Sequence, residues 1–137
     1  LPISKSASWL QAENAVLSGG VQINCNHSGY VGTGFTDSWS TAGAKASFTA
    51  NCEATGYYDL IVRYANGEAS GRTLNLYVNR KFVQTLHFPV VSSADWNAWR
   101  EISFSKILKL YKGINSIVLA YDNGNNGKLN IDSIAFQ

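Results

Sequence analysis

The 137-residue sequence is short of charge: Asp, Glu, Lys and Arg make up 15% of it, against about 25% in ordinary globular domains. Eleven cations nearly cancel nine carboxylates and stand singly along the chain, so no basic stripe exists to displace phosphate counterions. Electrostatic nucleic-acid binding is excluded on that ground. Long apolar runs are missing too, and stretches such as 117–121 fall far short of the roughly 20 residues that a membrane helix needs. Methionine is absent even at position 1, and no charged-then-apolar leader opens the chain, so a mature or excised piece of a longer, secreted protein is expected. Only two histidines occur, His27 and His87, without a Gly-x-Ser-x-Gly elbow, a Walker loop or a His-Glu-x-x-His helix. No carboxylate spacing suggests an acid/base pair. These absences describe a chain that is not itself an enzyme.

What is present suffices for one compact domain, with 45% hydrophobic and 12% aromatic residues. Two cysteines, Cys25 and Cys52, lie among Asn, Ser, Thr and Gly without neighbours at zinc-ligand spacing. They read as one disulfide, ahead of the alternative of two small buried thiols. A bridge of that loop length stabilises by about 3 to 4 kcal/mol in the chain-entropy model and implies an extracellular setting.

Period-two patterning dominates, clearest at 57–64, where Tyr58, Leu60, Val62 and Tyr64 share one face. Further strands are expected at 46–50, 74–78, 81–88, 99–104, 115–121 and 129–136, each bounded by Gly, Asn, Ser or Asp. Seven or more short strands at this spacing predict an all-β, two-sheet β-sandwich. Helical evidence is confined to 105–112, where Gly113 stops any turn and the surrounding pattern favours extended chain. Residues 1–8 read as an N-terminal tip or linker remnant and 9–137 as a single domain.

Aromatic and amide side chains concentrate in the loops, where binding residues sit on a rigid sandwich. Tyr30 stands among glycines, Trp96 and Trp99 form a Trp-x-x-Trp pair, and Asn123, Asn125 and Asn126 crowd one Asn/Gly loop. These are sugar-recognition materials: a pyranose lays its C–H face on a flat ring, and an amide bridges two hydroxyls. Arg72 supplies a fork for a ring oxygen, a hydroxyl or a carboxylate. The competing reading is structural, since Asn-Gly runs are ordinary turn chemistry and one Trp of such a pair belongs in the core.

Eight motifs taken in order carry a more specific likeness: Gln11-Ala-Glu-Asn-Ala15, Gly29-Tyr-Val-Gly-Thr-Gly-Phe35, Val62-Arg-Tyr-Ala-Asn-Gly67 with Arg72, Leu76-Tyr-Val-Asn79, Phe88-Pro89, Trp96-Asn-Ala-Trp99, Lys112-Gly-Ile-Asn-Ser-Ile117 and Asn130-Ile-Asp-Ser-Ile134. From about Trp9 to Phe136 the chain resembles a family 35 carbohydrate-binding module, with family 6 modules as relatives. The resemblance implies a jelly-roll sandwich, a noncatalytic role, and attachment to a secreted glycoside hydrolase that the module targets to plant cell-wall polysaccharide as a monomer. It implies a structural calcium held by Gln11, Glu13 and Asp132, completed by backbone carbonyls near Thr36 and Asp37; hard oxygen ligands suit that ion.

It also implies a sugar cleft formed by Tyr30, Asn66, Arg72, Trp96 and one of Asn123, Asn125 or Asn126, with Trp39 extending the platform and Trp99 in the core. Arg80 and Ser133 depart from residues common in such modules, the first in a hairpin and the second near the calcium. The cleft contains one Arg, with Asp95 and Asp122 adjoining its Trp96 and Asn123 in sequence, which favours a neutral ligand, with β-mannan or galactomannan first. The alternatives are calcium-dependent binding of glucuronic or unsaturated galacturonic acid, or binding of galactose-containing chains.

Overall fold

The computed structural model describes residues 8–137. The expected tip at 1–7 therefore lies outside the described residues, and Ser8 opens the first strand. Eleven strands form: β1 (Ser8–Gln11), β2 (Val16–Ser18), β3 (Gln22–Asn24), β4 (Phe35–Asp37), β5 (Lys45–Cys52), β6 (Gly56–Ala65), β7 (Arg72–Val78), β8 (Lys81–Phe88), β9 (Arg100–Leu110), β10 (Gly113–Ala120) and β11 (Asn130–Phe136). A 3-10 turn, Ala12–Asn14, links β1 to β2. One sheet has the order β3-β4-β11-β6-β9, with β1 also paired to β11; the other is β2-β5-β10-β7-β8. The pairing is antiparallel throughout these ladders, as a two-sheet jelly roll requires.

Alternation decides which face is inside. Leu60, Val62 and Tyr64 of β6 are buried, as are Ala46, Phe48 and Ala50 of β5 and Ile117 and Leu119 of β10. These inner faces meet in one core with Leu74, Leu76, Leu86, Leu108 and Ile134. Most of the 105–112 segment is strand, with only 111–112 turning into β10: β9 runs on to Leu110 through an irregularity opposite Tyr58 and Leu60. There Lys106 takes φ 53 and its N–H donates to Asp59 Oδ1 at 2.8 Å.

The disulfide expectation is corrected, because Cys25 and Cys52 are both free. Cys52 closes β5 with its side chain in the core cluster, where burial raises its thiol pKa, whereas Cys25 is exposed in the loop that leaves β3 of the other sheet.

The strands leave five connections at one end of the sandwich: 19–21 after β2, 38–44 after β4, 66–71 after β6, 89–99 after β8 and 121–129 after β10. This end holds most of the residues expected to meet sugar.

Candidate functional site

The connection after β6 is organised by Asn66, which is fully buried. Its Nδ2 donates to the Ser70 and Phe88 carbonyls, each at 3.1 Å, and its Oδ1 accepts the Glu68 N–H at 2.9 Å. Both hydrogens and one lone pair of that amide are spent inside the protein. Asn66 is therefore a scaffold for the loop, which corrects its assignment as a sugar contact. The connection after β8 is then stitched on, with Val91 N–H donating to Asn66 O at 3.0 Å and Ala94 N–H to Gly67 O at 2.7 Å.

That stitching seats Trp96. Its half-buried ring lies so close to Gly67 that a Cβ there would stand 2.8 Å from Cε2 and 2.9 Å from Cδ2 and Nε1. One side of the indole is thus fixed on backbone, the arrangement that an aromatic platform requires. Arg72, at the start of β7, pairs through Nη2 with Glu68 Oε1 at 2.9 Å. Its Nε is buried and has no partner. Sequence reasoning missed both Gly67 and Glu68, although the spacing from Glu68 to Arg72 across a tight turn was a readable signal.

The Asn loop divides between scaffold and surface. Asn126 Oδ1 accepts the Thr73 N–H at 2.7 Å while its Nδ2 donates to Gly71 O at 3.2 Å. Asn125 Oδ1 accepts the Asp122 N–H at 2.8 Å, and its Nδ2 donates to Asn75 Oδ1 at 3.1 Å. Both half-buried amides tie the loop to β7, and Asn123 is exposed. Asp122 turns toward the sheet, where its Oδ2 accepts Tyr77 Oη–H at 2.5 Å and Asn75 Nδ2–H at 2.9 Å. The Tyr77 hydrogen bond is the main reason its carboxyl stays below the ordinary value.

Trp39 is only 1% exposed and packs in the main core, with Nε1–H donating to Thr36 Oγ1 at 3.2 Å. No ring face is left for a sugar, so its place in the platform is corrected. Ser38 takes the left-handed φ of 61 and breaks the alternation that polar neighbours suggested. Phe35 heads a separate cluster in which His27, Tyr30 and Trp99 ring centroids lie 5.8, 5.6 and 5.3 Å from it. Tyr30 is half-buried there, and Trp99 is half-buried rather than part of the main core, with Nε1–H donating to Ser28 O at 2.9 Å.

A second constellation sits where β1 meets β11. Gln11 ends β1, Glu13 lies in the 3-10 turn, and Asp132 falls at the register shift between Ile131 and Ser133. The loop at 31–33 closes on them: Val31 N–H donates to Asp132 Oδ2 at 2.9 Å and Thr33 N–H to Glu13 Oε2 at 3.0 Å. Arg63 Nε–H, missed by sequence reasoning, donates to Asp132 Oδ2 at 3.1 Å. Gly32 takes φ +73, and a Cβ on it would stand 2.5 Å from Glu13 Oε2 and 3.0 Å from Gln11 Oε1. Only glycine fits so near two oxygen-bearing side chains.

After those bonds, Gln11 Oε1, Glu13 Oε1 and Asp132 Oδ1 remain buried without partners. Burial raises the Asp132 pKa, and Glu13 adds to the rise, while the Val31 N–H and Arg63 oppose it. Among the described residues no group of three His, Cys, Asp or Glu assembles, so the set is two carboxylates and an amide. That all-oxygen chemistry fits a hard cation. The side chains near the expected carbonyls are spent elsewhere: Thr36 Oγ1–H donates to Ile131 O at 2.8 Å, and Asp37 Oδ2 accepts Asn24 Nδ2–H at 3.1 Å.

Comparison with known proteins places this architecture. The family model described as "Carbohydrate binding module (family 35)" matches residues 8–137. A cycloisomaltooligosaccharide glucanotransferase of Niallia circulans is 38% identical over 124 residues, 90% of this chain and 12% of that protein. A mannan endo-1,4-beta-mannosidase of Thermothelomyces thermophilus is 30% identical over 131 residues, 96% of this chain and 25% of that protein. The chain thus spans a small part of both relatives. A solved family 35 carbohydrate-binding module from Clostridium thermocellum superposes with a TM-score of 0.86 at 26% identity, covering 96% of this chain and 98% of that one. A jelly roll with loop-borne aromatics at one end, matched by the family model from its first described strand to its last residue, belongs to the family 35 carbohydrate-binding modules.

Proposed function

We propose that this noncatalytic module binds a neutral polysaccharide chain at the loop end, with the Trp96 ring as platform and Arg72 Nε as its buried donor. The observation that carries this reading is the indole seated on Gly67, in the same loop whose Glu68 pairs with an arginine that keeps an unpartnered N–H. Stacking places a pyranose C–H face on Trp96, and Arg72 donates to a ring or hydroxyl oxygen. Asn123 adds an exposed amide at the rim.

A neutral ligand is favoured over a uronate because the Arg72 charge is already paired with Glu68. Asp122, bonded to Tyr77 and Asn75, is turned away from holding a bridging cation. Among neutral chains, β-mannan agrees with the mannosidase relative and isomalto-oligosaccharide with the glucanotransferase relative. The higher identity of the latter puts isomalto-oligosaccharide ahead of the β-mannan expected from sequence.

Calcium is the fitting cation for Gln11, Glu13 and Asp132, whose three partnerless oxygens supply part of a hard shell. Bound there, it would neutralise two buried carboxylates and fasten the β1 end to β11. The chain's own contribution is to hold those oxygens in place through Val31, Thr33 and Gly32.

In the whole protein we infer a secreted chain in which the monomeric module keeps a linked catalytic domain at its polysaccharide, a gain in effective concentration rather than in single-site affinity. The test is calorimetric titration with isomaltoheptaose, mannohexaose and glucuronic acid, each with calcium and with chelator. Heat from a neutral oligosaccharide that disappears in Trp96→Ala supports the reading. Calcium-dependent heat from glucuronic acid alone, or unchanged affinity in Trp96→Ala, overturns it.

A further inference from the structure

The outer face of the six-stranded sheet carries a polar row that the loop site does not use, although Gln11, Arg63 and Ser133 stand in the sequence motifs and Gln11 also faces the candidate cation site. Register aligns it across four strands: Gln11 of β1 opposes Ser133 of β11, Ser133 opposes Arg63 of β6, and Arg63 opposes Glu101 of β9. Trp9, two pairs along on β1 and so on the same face, stands opposite Ala135 and is 38% exposed. These side chains and Val31 line a cavity of about 300 Å³.

The bonding state of each group points to a ligand. Ser133 Oγ is fully buried and has no partner, an arrangement that costs free energy unless something arrives to satisfy it. Glu101 is 51% exposed, and the nearest approach of Arg63 to its carboxylate is 3.7 Å, so its oxygens retain free lone pairs. Arg63 is tied to Asp132 and to Gly29 O at 2.6 Å, which fixes one wall of the cavity. Trp9 supplies an apolar plane at the other side.

We propose that this cavity is a second saccharide pocket, sized for one neutral sugar unit at a chain end or branch. The proposal rests on the carbohydrate-binding reading of the domain but not on the loop site. A carboxylate accepts two vicinal hydroxyls, the buried serine hydroxyl both donates and accepts, and an indole takes the C–H face. Glu101 at the rim disfavours an anionic sugar, because the nearby guanidinium is already committed to Asp132. The volume lies at the small end of ligand pockets, which suits a single ring better than an extended chain.

The experiment is an amide NMR titration of the chain in calcium buffer with isomaltotriose, mannotriose and glucuronate, each carried to about 10 mM because single-unit sites bind weakly. The expected result is that a neutral trisaccharide shifts the Trp9 indole N–H and the Ser133 and Glu101 amides. Glu101→Ala and Trp9→Ala should each weaken that set about tenfold while the Gly67 and Trp96 signals titrate as before. Titration of the Gly67 and Trp96 set alone overturns the second pocket and leaves the loop site standing. Shifts at Trp9 and Ser133 that survive Glu101→Ala unchanged overturn it as well. Persistence of the Trp9 set in Trp96→Ala, with no loop signal moving in the unmodified chain, supports the pocket and refutes the loop site.

Discussion

Removing and restoring calcium should move the thermal stability of this domain by an amount that the buried oxygens set. Gln11 Oε1, Glu13 Oε1 and Asp132 Oδ1 lie out of solvent with no hydrogen-bond donor. Each unsatisfied buried acceptor costs about 1 to 3 kcal/mol, so the three together bear a penalty of about 3 to 9 kcal/mol that a cation relieves. Mass action caps what is seen: at about 100 times Kd, binding adds about 2.7 kcal/mol. For a domain of this length 1 kcal/mol corresponds to about 4 °C, which predicts a rise in Tm of about 10 °C. The assay is calorimetric melting after unfolding and refolding in chelator, so that no slowly exchanging ion persists, followed by re-addition of calcium. Glu13→Gln should lose most of the increment, because it keeps the Thr33 contact through its amide oxygen and loses the charge. Identical Tm values with and without calcium in the refolded protein would refute the reasoning.

Three further outcomes follow from other parts of the fold. Gly67→Ala places a methyl within 2.9 Å of three Trp96 ring atoms, so glycan binding at the loop end should weaken about tenfold while the sheets stay intact; calorimetry and circular dichroism check the two halves. Asp122 is held below the ordinary carboxylate value chiefly by the Tyr77 hydrogen bond, so its stabilisation is present above about pH 4 and is lost as pH falls through its lowered folded value. Melting between pH 6 and pH 2.5, limits set around the usual Asp value of about 3.9, should show a shallower acid loss in Tyr77→Phe, and equal slopes would count against the assignment. Cys25 is exposed and Cys52 buried, so a thiol reagent should label one site in the native protein and both on unfolding, without prior reduction. Finding no thiol in denaturant would restore the disulfide.

The extent to which the sequence was readable tracks how local each signal is. Leu60, Val62 and Tyr64 announce β6 because alternation over ten residues is a period that the chain carries by itself. The strands β1 to β4 hold three or four residues each, too few to express a period, and they were missed as strands. Lys106 hid the length of β9, since it sits with left-handed φ in an irregularity that puts two extra residues on β9 between Phe104 and Leu108. Ser38 did the same for Trp39, turning into the core a ring whose polar neighbours suggested exposure.

The site shows a different limit: a side chain's chemistry is visible in sequence, but its unused bonding capacity is not. Asn66, Asn125 and Asn126 have the right groups for sugar hydroxyls, yet tight loops carry backbone N–H and C=O groups that need partners, and these amides supply them. What remains unspent is less conspicuous in the sequence: Arg72 Nε in the loop that seats Trp96, the three oxygens of Gln11, Glu13 and Asp132, and Ser133 Oγ in the cavity that Trp9 also lines. Each is an atom that folding removed from water without giving it a partner, and the cost of that removal is recovered only by an incoming group. Three such places in a domain whose remaining loop amides are satisfied identify where sugar or cation binding gains most. The conspicuous asparagines hold those places in shape.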